Sequence, residues 1–239
     1  MLQKTGYILI LVALVWLGAI SVLQAADSEN NEKNASAEEK TTAEDDNKET
    51  KKEEKMTDTK LEPGTYAIFE TSLGNFTVKL YTEKTPETAQ NFIDLTQGKK
   101  EYADPETGKM TKGRLYDGRK IFRVIKGFMF QTGSPNDTNR YNPGFTIKDE
   151  IRDDLKFDRP GLLAMANIGR PNTSGCQFFV TLAPAEYLNG GYTIFGEVVD
   201  GMDTVNKIGD VPVKMGGEAT PSLPVDMPVI KKVEIKKVD

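Results

Sequence analysis

Arg123 and Gln131 sit in an otherwise apolar stretch, Ile121 to Gly133, that reads Ile-Phe-Arg-Val-Ile-Lys-Gly-Phe-Met-Phe-Gln-Thr-Gly. With the period of two of a strand, Arg123 and Ile125 share one face and Phe122 and Val124 the other. Gly127 interrupts the strand and lets Phe128, Met129 and Gln131 restart in a new direction. A cation, an aromatic ring, a thioether and an amide then face one cavity. Composition closes several other routes to chemistry. The chain has no His, which removes Ser-His and Cys-His catalysis and any imidazole metal site. Its single cysteine, Cys176, has no partner for a disulfide or a thiolate metal site and reads as a small buried apolar residue. Taken alone, the window also fits a core strand whose Arg reaches out to water and whose Gln bonds to backbone.

The window does not stand alone. Gly161 to Asn167 reads Gly-Leu-Leu-Ala-Met-Ala-Asn, Gly175 to Val180 reads Gly-Cys-Gln-Phe-Phe-Val, and Tyr192 to Val198 reads Tyr-Thr-Ile-Phe-Gly-Glu-Val. With Phe122 to Gln131, these four blocks in this order resemble the cyclophilin family of peptidyl-prolyl isomerases, and the similarity runs from about residue 62 to the C-terminus. The resemblance implies a mainly β fold, a closed eight-stranded antiparallel β-barrel capped by two α-helices, and the many short strands independently favour a barrel or sandwich. It implies Arg123 and Gln131 as catalytic residues. For substrate binding it nominates Phe128, Met129, Ala166, Asn167, Gln177, Phe179, Tyr187, Leu188 and Tyr192. It implies no metal and no cofactor, a monomer, and as partners proline-containing unfolded or partly folded polypeptides. A module that holds proline segments without turnover is the alternative.

The X-Pro bond resists rotation by about 18–20 kcal/mol because amide resonance makes its C–N bond partly double. Lowering that barrier needs a site that binds the twisted amide better than either planar isomer. The twisted nitrogen regains a lone pair, so a fixed cation with N–H donors beside it favours the transition state. Arg123 suits this role, since a guanidinium keeps its charge and its planar fork of donors. Phe128, Met129, Phe179 and Leu188 would form a socket for the proline ring. Gln131 would orient Arg123 or hold a substrate carbonyl, and Asn167 and Gln177 would hold the substrate backbone. Asn167 reads equally well as a turn residue that satisfies its own backbone. Tyr187 stands where the best-known eukaryotic members carry Trp, and Tyr192 where they carry His; a tyrosine hydroxyl still donates a hydrogen bond.

These groups need elements to place them. Thr65 to Thr71 and Asn75 to Tyr81 alternate on either side of a short Gly-containing loop and predict a hairpin. Thr85-Pro86-Glu87 supplies an N-cap, a proline at the first helical position and an early acidic residue. Ala89, Phe92, Ile93 and Leu95 then follow at helical spacing until Gly98. Lys99 to Tyr116 is polar and reads as a surface excursion, and Ser134 to Gly144 as a loop with few of the glycines many family members carry there. Phe145 to Ile147, Gly161 to Asn167, Gln177 to Leu182 and Thr193 to Val199 read as strands. A short helix from about Met202 to Ile208 and a last strand from Val229 to Val238 complete a domain over 62–239. Ile168 to Gly175 reads as a loop beside the site, in which Arg170 is an extra residue against the family pattern.

The N-terminal part differs in kind. Residues 1–26 carry Lys4, an apolar run from Tyr7 to Leu23 and then Gln-Ala-Ala. They read as a signal peptide, cleaved after Ala25 or Ala26, or as an uncleaved membrane anchor. The protein is therefore expected to be exported, to the periplasm or cell envelope. Residues 27–61 read as a disordered charged linker: Asp27 to Lys60 holds twelve acidic side chains and seven lysines, a net of -5 and too little apolar surface to fold. That equals the charge of the whole chain, so the remainder is neutral and gives no reason to expect a nucleic-acid partner.

Overall fold

The alternating runs on either side of Ser72 and Leu73 meet as their period predicts. The computed structural model describes residues 61–239, and in it these runs are β1 (Gly64–Thr71) and β2 (Gly74–Leu80). They pair antiparallel from Thr65 opposite Leu80 to Thr71 opposite Gly74. The Thr71 hydroxyl closes the turn, accepting from Leu73 N at 3.1 Å and donating to Gly74 O at 2.6 Å. The expected signal or anchor segment and the charged linker up to Lys60 lie outside the described residues.

After the hairpin come α1 (Pro86–Gln97), the ribbon β3 (Glu101–Ala103) and β4 (Met110–Lys112), then β5 (Arg119–Lys120), β6 (Arg123–Ile125) and β7 (Met129–Thr132). They are followed by β8 (Leu162–Met165), β9 (Phe178–Thr181), β10 (Ile194–Asp200) and α2 (Met202–Gly209). A second ribbon, β11 (Val213–Lys214) and β12 (Leu223–Pro224), leads to β13 (Val229–Val238). The main sheet is antiparallel with nine strands in the order β5-β13-β1-β2-β10-β8-β9-β7-β6.

This differs from the expected closed ring of eight strands, because the ladder is open between β5 and β6. One run of chain leaves β13 at Lys120 and joins β7 at Arg123, so Ile121 and Phe122 connect the sheet's two edges covalently and no ladder forms there. Other bonds serve the seam: Lys120 O accepts from the Thr132 hydroxyl at 2.9 Å and Lys120 N donates to Asp137 Oδ1 at 3.1 Å. Ile121 N donates to Pro228 O and Val124 N to Ser222 O, both at 2.8 Å.

Strands β7, β8 and β9 are buried along their whole length, and the period of two sorts their side chains onto two sides. Phe130, Leu163, Met165, Phe178 and Val180 enter the main core with Phe69, Phe76 and Phe92. There Phe69 stacks on Phe76 with ring centres 4.5 Å apart, and Phe178 meets Phe92 edge-on at 5.5 Å. Met129, Leu162, Ala164 and Phe179 point the other way, into a smaller cluster with Phe157, Leu188 and Ile194.

Helix α1 buries Ala89, Phe92, Ile93 and Leu95 as the spacing predicts, and Gly98 ends it in the left-handed conformation (φ 71). Its start differs from the sequence reading. Thr85 occupies the cap position but makes no side-chain cap bond; its hydroxyl bonds back to Tyr81 O at 3.3 Å. The free N–H groups of the first turn go to Glu150, whose carboxylate accepts from Glu87 N at 3.2 Å and Thr88 N at 2.8 Å. A distant carboxylate also complements the positive end of the helix. Two further expectations are corrected. Phe145 to Ile147 follows Pro143 and Gly144 and makes a single bridge, Ile147 to Ser174, instead of a strand, and the excursion after α1 contains the β3–β4 ribbon.

Candidate active site

Register places the candidate residues in one row. Arg123 on β6 lies opposite Gln131 on β7, Gln131 opposite Phe179 on β9, and Phe179 opposite Ala164 on β8. Cross-strand partners share a face, so a cation and an amide from one hairpin come side by side with an aromatic ring 48 residues beyond Gln131 in sequence. Met129 lies two residues before Gln131 on that same face.

Directed hydrogen bonds join the polar members. Arg123 Nη1 donates to Gln131 Oε1 at 3.0 Å, Gln131 Nε2 donates to Gln177 Oε1 at 2.9 Å, and Gln177 Nε2 donates to Tyr141 O at 3.4 Å. Arg can only donate and a backbone carbonyl can only accept, so this chain of donors fixes the orientation of both amides. Both glutamines are buried, at 7% and 9% exposure, and each has its partners, as buried amides require. The Arg123 side chain is 26% exposed. Its Nη1 also approaches Met129 Sδ at 3.9 Å.

A groove of about 620 Å3 opens at the Arg123–Gln131 end of this row, lined by Arg123, Gln131, Ala166, Asn167, Gln177 and Tyr192 among others. Beside it lies the smaller apolar cluster, which supplies the rest of the expected set. Met129, Phe179 and Leu188 are buried there, and Phe128, Ala166 and Tyr192 pack against them. Phe179 is held between two rings, stacked on Phe157 at 5.9 Å and edge-on to Tyr192 at 5.6 Å. Tyr187, in a short 3-10 turn (Glu186–Leu188), is 75% exposed and rests its ring on Phe128 at 5.6 Å.

Asn167 takes the turn arrangement. Its Oδ1 accepts from Gly169 N at 2.9 Å and its Nδ2 donates to Gly191 O at 2.8 Å, which engages its amide with nearby backbone on the groove wall. Sequence reasoning missed three neighbours. Glu218 binds Arg123 Nε with both oxygens, at 2.8 and 3.1 Å; Phe157 supports Phe179; and Tyr141 supplies the terminal carbonyl. Glu218 follows Gly216-Gly217 in a loop, which marks a turn but carries no sign of where that turn is aimed.

Electrostatics beside the groove are set by burial. Loss of hydration pushes the Tyr141 hydroxyl well above the usual phenol range, with a smaller push from Cys176, and the same effect drives the Cys176 thiol up to about 12. Both groups stay neutral at physiological pH. The described residues contain no cluster of three or more His, Cys, Asp or Glu side chains able to hold a metal ion.

Comparison with known proteins agrees with the geometry. The family model for cyclophilin type peptidyl-prolyl cis-trans isomerase/CLD matches residues 66–238. Peptidyl-prolyl cis-trans isomerase B of Streptomyces anulatus is 45% identical over 133 residues, 56% of this chain and 75% of that one. Peptidyl-prolyl cis-trans isomerase A of Mycobacterium tuberculosis is 42% identical over 147 residues, 62% of this chain and 80% of that one. Among solved structures, a cyclophilin type isomerase of Cryptosporidium parvum matches with a TM-score of 0.61 and 30% identity, over 73% of this chain and 99% of that one. A second structure of it, determined in the presence of the dipeptide Ala-Pro, matches equally well, with a TM-score of 0.61. With a nine-stranded antiparallel sheet, two helices and a matching segment that includes every residue of the row, the chain belongs to the cyclophilin-type peptidyl-prolyl cis-trans isomerases, and its reaction is the rotation of X-Pro bonds.

Proposed function

We propose that this enzyme isomerises X-Pro bonds in unfolded or partly folded polypeptides outside the cytoplasm, with Arg123 as the group that meets the twisted amide. The row Arg123–Gln131–Phe179 beside an apolar cluster carries this reading. A proline ring seated against Phe128, Met129, Phe179 and Leu188 puts its amide nitrogen near the groove side of the guanidinium. Gln131 holds one nitrogen of Arg123 and is itself held by Gln177, so the donors are oriented before the bond twists. That is the condition under which fixed dipoles lower a barrier instead of tightening ground-state binding. Rotation makes and breaks no bond to the protein, and no step of this scheme calls for a nucleophile or a cofactor. That the Cryptosporidium relative was studied with Ala-Pro supports a proline-containing peptide as the ligand class.

A protease-coupled assay on proline peptides tests the mechanism. Arg123→Ala is expected to lower kcat/KM by about 10²–10³-fold, the scale of removing one preorganised donor, about 2.7–4 kcal/mol. Peptide binding should weaken far less. Arg123→Lys should recover little, since an ammonium cannot reproduce the planar fork. Unchanged turnover in Arg123→Ala would refute the role of the guanidinium, and peptide binding without turnover in the unmodified protein would favour a holding module instead.

Export rests on Lys4 and the apolar run Tyr7 to Leu23. Cell fractionation with externally added protease tests it. The full-length chain found free in the cytosol, apolar run included, would overturn it.

A further inference from the structure

We infer that Glu218 is a positioning residue for catalysis, a carboxylate that fixes the Arg123 fork from the side opposite Gln131. The inference rests on the reading of Arg123 given above.

The local fold delivers this carboxylate to the site. Ribbon β11–β12 pairs Val213 with Pro224 and Lys214 with Leu223, and Ser222 N donates to Lys214 O at 3.1 Å to close the loop between them. The foot of that loop is fastened to the catalytic strand itself, because Ser222 O accepts from Val124 N at 2.8 Å, one residue from Arg123. Gly217 sits at φ 90, where a side chain would be strained, and a Cβ on Gly216 would lie 2.9 Å from Leu223 Cβ. Two glycines thus let the chain double back tightly enough to set Glu218 over the guanidinium.

The two oxygen-bearing partners of Arg123 divide its donors, with Met129 Sδ a weaker third contact at Nη1. Both Glu218 oxygens accept from Nε, at 2.8 and 3.1 Å, while Gln131 takes Nη1 at 3.0 Å. Nη2 has no hydrogen-bond partner among the described residues and is left for the client. With Gln131 alone, a long and rotamer-rich side chain would pivot about one contact; a second contact at Nε fixes the plane of the fork. Other charges near the loop do not compete. Asp137 pairs with Lys120 at 3.5 Å, and Arg140, also on the groove wall, is exposed and makes no ion pair among the described residues. Glu218 finds its ion-pair partner, among the described residues, in Arg123.

A carboxylate beside the cation also offsets part of its charge, which by itself would slow the reaction. Both side chains keep about a quarter of their surface in water, 26% and 28%, so solvent screens much of that offset. Aiming a hydrogen bond at a developing lone pair depends on direction, which screening does not supply. Positioning therefore outweighs neutralisation, and losing Glu218 should slow turnover.

The test compares Glu218→Ala and Glu218→Gln in the wild-type and Arg123→Ala backgrounds, measuring kcat, KM and melting temperature on one proline peptide. Glu218→Ala is expected to lower kcat about threefold to fivefold, the upper part of the range of a partly exposed ion pair, with little change in KM. Glu218→Gln keeps an acceptor for Nε and should recover at least half of the loss. With Arg123 already replaced, Glu218→Ala should change kcat/KM by less than about twofold, because interacting residues are not additive. Unchanged or faster turnover of Glu218→Ala in the wild-type background overturns the inference. So does an equal loss in both backgrounds, which would assign Glu218 to the loop's own structure. The inference fails alone if Arg123→Ala abolishes turnover while Glu218→Ala does not slow it; if Arg123→Ala turns over normally, the reading of Arg123 fails and takes this one with it.

Discussion

Replacing Glu150 by Ala should destabilise the domain more than removing the hydroxyl of Thr85, although Thr85 is the residue that the sequence nominates to cap α1. Glu150 accepts from two N–H groups of the first helical turn, at 3.2 and 2.8 Å. A cap of this kind is worth about 0.5–2 kcal/mol, and a negative charge at a helix N-terminus adds about 0.3–1 kcal/mol. Glu150 is partly exposed, so the lower part of that combined range applies, roughly 1–1.5 kcal/mol. In a domain of this size each kcal/mol moves the melting temperature by about 2–4 °C, which gives a loss of roughly 2–6 °C for Glu150→Ala. Glu150→Gln keeps an acceptor oxygen and loses the charge, so it should fall between the two. Thr85→Val removes a hydroxyl whose acceptor, Tyr81 O, already receives Lys84 N at 3.1 Å and Thr85 N at 2.9 Å, so little should change. Calorimetric melts at low and high salt would measure this. A shift below about 1 °C for Glu150→Ala, or a larger loss for Thr85→Val, would refute the assignment of the cap.

Three other expectations concern the described domain and its boundary. Gly133 sits at φ 87, with a Cβ position only 2.7 Å from Cys176 O. Gly133→Ala should therefore cost well over about 1 kcal/mol and reduce kcat/KM with it, since β7 and the Gln177 segment must part; wild-type melting and turnover would show that the contact is soft. Cys176 is 1% exposed, with its thiol pushed up to about 12 by burial. The reactive thiolate is therefore scarce at pH 8, and mass spectrometry after iodoacetamide should find alkylation only once the protein is unfolded. A chain beginning at Leu61 should melt and turn over like one that carries Asp27 to Lys60, because that segment has almost nothing to bury; a melting point several degrees lower would show that the segment packs on the domain.

What the sequence made legible followed from local period. The alternation through Ile121 to Gly133 and Gln177 to Leu182 placed Arg123, Gln131 and Phe179 on strands, and the register then brought them into one row. Helix α1 was readable for the same reason, from Pro86 to Gly98. Partners brought in from far along the chain were not readable. Glu150 reaches α1 from 63 residues away and Glu218 reaches Arg123 from 95, and each is one acidic residue among many in polar loops. Phe145 to Ile147 has the composition of a strand, but the chain behind it turns at Pro143 and Gly144, and tertiary context overrides propensity there. Asn167 could be read two ways because the residue that suits a turn also suits a ligand contact. The number and closure of the strands depended on which edges find partners, which no local pattern encodes.

The seam between β5 and β6 bears on how this protein avoids its own kind. An open sheet normally leaves two rows of unpaired backbone groups, a template on which another chain can add a strand and begin to aggregate or swap domains. Here the edges are two and three residues long and join through Ile121 and Phe122. Lys120 N and O, Ile121 N and Val124 N are already bonded to Asp137, Thr132, Pro228 and Ser222. If its clients are the unfolded chains proposed above, whose backbone N–H and C=O groups lack partners, the protein thereby meets them with its groove and not with an edge.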